Sequence, residues 1–150
     1  MMTMQKFTPK REQGFTLIEL VMVIVILGIL AAFALPRFAD LSGDAEQASV
    51  SGARGAVQSA SAIVRSAYLA RQPSDGVVVL EGEDIGTVGG YAAATSIGLA
   101  AQLSSEFDVD TDTAGVATIS QGSCSFSYTQ AEVDGDGNAT TAPVISPVSC

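Results

Sequence analysis

Two kinds of side chain in this sequence can do chemistry: carboxylates and one pair of thiols. The chain has no histidine, so neither a Ser-His-Asp nor a Cys-His nucleophile system can be assembled. With two cysteines, the common zinc sites cannot be built within one chain. Glu19 is the carboxylate out of place. It is the only charge from Phe15 to Leu35, a run of 21 residues in which Thr16 is the one hydroxyl. A carboxylate inside such a run is expensive in hydrocarbon and normally has a partner. Lys10 and Arg11 can reach toward it from the preceding segment; the other source of charge is an amine created at Phe15 by proteolysis after Gly14. Cys124 and Cys150 are the thiols. Asp134-Gly135-Asp136-Gly137-Asn138 places oxygens at alternate positions, as a calcium loop does. Its sixth position is Ala139 instead of Gly and its twelfth is Ile145 instead of Glu, so it is no EF-hand. A solvated turn accounts for it, with Asp134, Asp136 and Asn138 kept as weak metal candidates. Glu106, Asp108, Asp110 and Asp112 alternate and read as a solvated acidic loop. Asn138-Ala139-Thr140 fits a glycosylation sequon, a short match. Paired carboxylates can do acid-base work, but nothing else marks a catalytic pocket, and no enzyme activity, cofactor or metal is assigned.

The element that must position Glu19 is the apolar run itself. As a helix it spans roughly 30 Å, the hydrocarbon thickness of a bilayer. Ala32-Phe33-Ala34 fits a secretory cut site, but the run exceeds the usual signal core of about 7–15 residues and carries a carboxylate near its start. A membrane anchor is the simpler reading. Lys6, Lys10 and Arg11 precede the run with one acid, Glu12, whereas the rest of the chain holds 15 acids against Arg37, Arg54, Arg65 and Arg71. That asymmetry orients the N-terminus to the cytoplasm and the remainder to the periplasm or the exterior. The formal net charge of −9 argues against nucleic acid as a partner, since phosphates need Lys and Arg. The apolar fraction of 47% with 15% charged residues excludes a disordered acidic tail.

Helical periodicity continues past the run. Phe38, Leu41, Ala45, Ala48, Val50, Ala53, Val57, Ala60, Val64 and Ala67 recur three or four apart, predicting an amphipathic helix to Tyr68 or Arg71. Gln72-Pro73-Ser74-Asp75-Gly76 ends it. Gly28 and Pro36 weaken the helix, and Pro36 is expected to kink it. Gly43, Gly52 and Gly55 suit close packing on a sheet or on a neighbouring helix. A helix of this length cannot be buried in so small a globule, so its apolar half must project. The second half predicts short strands at Val77-Val78-Val79-Leu80, interrupted by Glu81-Gly82-Glu83-Asp84, at Val116 to Ile119, and at Cys124 to Thr129, where period-2 alternation marks a half-buried strand. A short helix is expected near Ser96–Leu103. Val144 to Val148 is a weak final strand that Pro147 confines to an edge. One long helix followed by strands gives an α+β class, with an antiparallel sheet on the outer half of the helix. Both cysteines fall in an oxidising compartment on this topology. Pairing them ties the last residue to a core strand and contributes about 3–4 kcal/mol in the chain-entropy model; two free thiols are the alternative.

Gly14-Phe15-Thr16-Leu17-Ile18-Glu19, followed by the apolar run from Leu20 to Leu35, resembles the class III signal of type IV pilins and related pseudopilins. The resemblance implies that a prepilin peptidase cuts after Gly14, that Phe15 becomes N-methyl-phenylalanine, and that Glu19 is the assembly carboxylate pairing with the Phe15 amine. It implies residues 1–14 as leader, 15–35 as transmembrane and filament-core helix, and 36–150 as a pilin head. Gly28 and Pro36 match the pair that brackets an extensible stretch in that family. The segment from Pro36-Arg37-Phe38-Ala39-Asp40-Leu41 through Val57-Gln58-Ser59-Ala60-Ser61 is similar to the mannose-sensitive haemagglutinin pilins, as are Gly90-Tyr91 and Cys124-Ser125-Phe126-Ser127-Tyr128-Thr129. In type IV pilins a C-terminal disulfide bounds an exposed variable loop, here residues 125–149. The implied protein is a major pilin, stored in the inner membrane and polymerised by a pilus assembly machinery into a homopolymer on a Gram-negative surface for attachment and colonisation. The rivals are a type II secretion pseudopilin, which usually lacks that loop, and a minor tip adhesin.

Overall fold

A computed structural model describes residues 14–150, and for residues 35–40 the helical backbone alone. The basic segment before Gly14 and the Pro36 ring, with the kink expected from it, lie outside the described residues. The elements are α1 (Leu17–Arg71), β1 (Val77–Leu80), β2 (Glu83–Val88), β3 (Tyr91–Ala92), α2 (Ile97–Ala100), β4 (Asp108–Asp110), β5 (Val116–Gln121), β6 (Cys124–Thr129) and β7 (Val144–Ile145). The class is α+β, as expected. The chain divides into two compact units after Asp40.

In the first unit, Leu17–Ala34 is apolar and long enough to cross a membrane by length and composition, and none of it is buried. Large side chains here, from Phe15 to Phe33, are exposed. Among the described residues nothing shields them, and an exposed apolar surface of this size marks a contact with lipid or protein. Helical backbone continues through Gly28 and Pro36.

In the second unit the buried stripe of α1 is Val50, Ala53, Val57, Ala60 and Val64. It packs with Ile85, Ala92, Ile97, Ala117, Ile119, Phe126 and Tyr128 in one core. The periodic series runs further toward the N-terminus than the core does: Leu41, Ala45 and Ala48 are exposed. Gly43, Gly52 and Gly55 do not pack on a sheet, because a Cβ built at any of them meets nothing within 4 Å; a neighbouring helix is the other expectation for them. α1 ends where Gln72 adopts a left-handed φ of 46° ahead of Pro73, a stop of the αL type.

Two antiparallel sheets replace the single one expected, with orders β1-β2-β3 and β4-β5-β6-β7. Turn chemistry explains the first. Glu81 and Gly82 have φ of 51° and 92°, and Gly89 and Gly90 have 58° and 80°. Both pairs are two-residue hairpin turns of the kind that needs positive φ twice. Glu81-Gly82 therefore reverses the chain, and Glu83 and Asp84 open β2, where an interruption was expected. In the second sheet Gly122-Ser123 joins β5 to β6. The acidic segment is also reassigned. Asp108 and Asp110 belong to an edge strand, β4, whose Val109 faces the core while both carboxylates stay exposed. Charged edge residues discourage pairing with another chain. β7 is the opposite edge, as Pro147 required. α2 spans only Ile97–Ala100 within the expected Ser96–Leu103, because Gln102 turns left-handed at φ 50°.

The three arginines of this unit bind backbone. Arg54 Nε donates to Ser146 O at 2.7 Å, Arg65 to Gly89 O at 2.7 Å, and Arg71 to Val79 O. Each ties a distant segment to α1. Arg65 also stacks over Tyr91, 4.7 Å from the ring centroid, a cation–π contact.

Tyr128 is fully buried, and its hydroxyl donates to Ala92 O at 2.7 Å, joining the two sheets. Burial raises the phenol above its ordinary value of 10.0, outweighing the Ser61 hydroxyl, which favours the phenolate. A raised folded-state value means the unfolded chain ionises first. The contribution is whole below about pH 10 and is lost as pH climbs through the folded value. Urea midpoints are therefore expected to fall above about pH 10. Tyr128→Phe should flatten that fall while costing about 1 kcal/mol at neutral pH through the lost hydrogen bond. An equally steep fall in Tyr128→Phe would assign the alkaline transition to other groups.

Candidate functional site

The N-terminal site is built by the first turn of α1. Thr16 stands at the N-cap and Glu19 three residues on. Glu19 Oε2 accepts from the Thr16 backbone N–H at 2.9 Å and from Thr16 Oγ1 at 2.8 Å, and the Glu19 N–H donates to Thr16 Oγ1 at 3.3 Å. This is a reciprocal capping box, which satisfies helix donors that otherwise have no intrahelical partner. The Thr-x-x-Glu spacing announces it in the sequence, a signal that a search for cationic partners alone passes over. The carboxylate is thereby folded back on the amide that links Phe15 to Thr16. Phe15 itself is 93% exposed, and a Cβ at Gly14 meets nothing within 4 Å. The Gly14–Phe15 bond is thus unobstructed by the rest of the described chain. Gly28 lies farther along the same exposed helix, with open space where a Cβ would stand.

At the other end of the chain, Cys124 and Cys150 form a disulfide across a separation of 26 residues. Ser125 and Ser149 exchange backbone hydrogen bonds of 2.8 and 2.9 Å beside it, so the tail lies along β6. The segment the bond encloses is not one exposed loop. Phe126, Tyr128 and Ala131 are core residues, while residues 132–138 are exposed. At the same end of β6, Glu46 of α1 accepts from the Ser123 N–H at 3.2 Å. This carboxylate caps the Gly122-Ser123 turn, and the sequence does not announce it because its partner is 77 residues away.

The weak metal candidates fold into a turn. Asp134 Oδ1 accepts from the Asp136 N–H at 3.0 Å and the Asn138 N–H at 2.8 Å. Asp134 N–H donates to Asn138 O at 3.0 Å. The best-placed oxygen therefore serves backbone. Among the described residues no group of three or more acidic, histidine or cysteine side chains converges as a metal site would require.

Comparison with known sequences agrees with the N-terminal geometry. Residues 9–35 match the family described as the prokaryotic N-terminal methylation motif. The chain therefore carries that motif, and its homologues include type IV pilins. It is 60% identical over 53 residues to a type IV narrow pilus major component of Thermus thermophilus, covering 35% of this chain and 46% of that one. It is 54% identical over 41 residues to a type IV major alpha-pilin of Moraxella bovis, covering 27% and 26%. A longer match is to fimbrial protein Q of Moraxella bovis, 39% identical over 84 residues, 54% of this chain and 52% of the relative. The chain thus spans about half or less of the length of these curated relatives. No solved structure matches.

Proposed function

We propose that this chain is the major structural subunit of a type IV pilus, cut after Gly14, N-methylated at Phe15 and polymerised into surface filaments used for attachment and colonisation. One observation carries the proposal: Gly14 to Glu19 opens an apolar helix that is unburied among the described residues, within the methylation motif at residues 9–35. A helix of this kind is stored in a membrane and afterwards buried against copies of itself. The partners on this reading are a prepilin peptidase, the inner membrane, other copies of the subunit and the assembly machinery. The leader is residues 1–14, the span 15–35 and the head 36–150. The disulfide enclosing residues 125–149 supports a pilin over a secretion pseudopilin. The likeness of the Pro36–Leu41, Gly90-Tyr91 and Cys124–Thr129 segments supports the mannose-sensitive haemagglutinin type, and with it a Gram-negative surface.

The test is deletion and complementation. Cells lacking the chain should lose surface fibres seen by electron microscopy and keep normal secretion of exoproteins. Gly14→Val should leave uncut precursor in the inner membrane and restore no fibres, because the peptidase must approach this backbone closely. Loss of exoprotein secretion with fibres intact would instead identify a pseudopilin. Restoration of fibres by an uncut Gly14→Val chain would overturn the processing step.

A further inference from the structure

We infer that Asn138 is the acceptor of an N-linked oligosaccharide. It is the only asparagine in the chain, and it stands in Asp136-Gly137-Asn138-Ala139-Thr140. That is a sequon. The Asp134 turn holds Asn138 by its backbone, through Asp134 Oδ1 and the Asp134 N–H. Among the described residues no hydrogen bond occupies its side-chain amide. The surroundings are open: residues 132–138 are exposed, and a Cβ at Gly135 or Gly137 meets nothing within 4 Å. One residue later the loop is docked, since a Cβ on Gly89 would come within 2.7 Å of the Ala139 Cβ. Asn138 therefore sits where a seated base gives way to an open tip. A bulky group there displaces nothing, and exposed loop tips of this kind are where modification is tolerated.

A transferase needs the sequon peptide lifted from its turn. The hydrogen bonds that must break are those of Asp134 and those that the Thr140 N–H and hydroxyl make to Glu132 O, at 2.8 and 3.2 Å, and Ala139 must leave its seat beside Gly89. No core residue moves. In the reaction, Asn138 Nδ2 loses a proton and bonds to C1 of a sugar carried on a polyprenyl diphosphate. The C1–O bond breaks, and the lipid diphosphate leaves with the electron pair. The donor faces the exterior side of the cytoplasmic membrane, the side on which the proposed orientation places residue 138, and to that extent the inference rests on the function proposed above.

The experiment uses full-length subunit from the cells that make it, taken from membranes and from sheared surface material. After reduction, chymotrypsin cuts behind Tyr128, and the peptide beginning at Thr129 is fragmented in a mass spectrometer with electron transfer. The expected result is hexose- or hexosamine-containing mass localised to Asn138. It should be lost in Asn138→Gln and Thr140→Ala and kept in Thr140→Ser. A membrane-held Gly14→Val subunit should still carry it, which separates this result from failure of fibre assembly. A wholly unmodified peptide, or sugar found only on serine or threonine hydroxyls, would overturn the inference.

Discussion

Glu19→Ala subunits are expected to insert, to be cut after Gly14, and to remain in the membrane with few or no fibres. Cleavage places a positive amine on Phe15, one residue from the amide that Glu19 already contacts. In an apolar helix bundle that amine needs an anion, and unpaired charge buried in such a medium strongly opposes docking. Lipid tails and neighbouring Glu19→Ala helices supply none. The capping box makes the test sharper than a single variant allows. Alanine removes the charge and the cap together. Glutamine keeps an oxygen for the Thr16 N–H and removes only the charge, since Gln serves at this position of the motif. Glu19→Gln should therefore insert and be cut as the wild type is, yet share the assembly defect of Glu19→Ala. Fibres of normal number and length from Glu19→Gln as the sole subunit would show that the cap, not the charge, is what Glu19 provides. Uncut Glu19→Gln precursor would place its role in peptidase recognition. Immunoblots of membrane and sheared fractions, read with electron microscopy, separate these outcomes.

Loss of the disulfide is the second large effect. Closing the loop between Cys124 and Cys150, a sequence separation of 26, contributes about 3–4 kcal/mol in the chain-entropy model. Against a total stability of about 5–15 kcal/mol for a domain, that is a large share. Cys150→Ser should lower the thermal midpoint of the full-length subunit in detergent by about 10–20 °C. It should also lower subunit abundance through proteolysis of the opened head. The tail will not come free altogether, because Ser125 and Ser149 still exchange two backbone hydrogen bonds. Cys124→Ala with Cys150→Ser controls for stray thiol exchange, since Cys124 is buried and acts there as a small apolar residue. Quantitative alkylation of both cysteines in unreduced native subunit would remove the basis of the prediction.

What was legible in the sequence is what repeats along it. Val50, Ala53, Val57, Ala60 and Val64 announced a buried stripe because a helix returns to one face every three or four residues, and they form it. Cys124, Phe126 and Tyr128 alternated and are all core. The same periodicity overreached at Leu41, Ala45 and Ala48, since a pattern records which face is apolar and not where the covering sheet stops. β2 and β4 were hidden by composition, since their acids and the β2 glycine have poor strand propensity, and β3 by its length of two residues. Only the Glu81-Gly82 and Gly89-Gly90 turns, read as hairpin signals, would have exposed β2 and β3. At the N-terminal site the residues were legible and their local arrangement was overlooked: Thr16 and Glu19 have capping-box spacing. The remaining ties are long-range. Arg54 to Ser146, Arg65 to Gly89 and Glu46 to Ser123 join positions that no local pattern connects.

The central claim is that this chain is stored as a precursor and enters a filament only after its helix has been released at Phe15. The most direct measurement is the N-terminal mass of subunits recovered from sheared surface fibres. The account predicts a single chain beginning at Phe15, heavier by one methyl group at its amine, with Gly14 and everything before it absent. Fibres built from chains that begin at Met1, Met2 or Met4, or at any residue beyond the apolar helix, would contradict it.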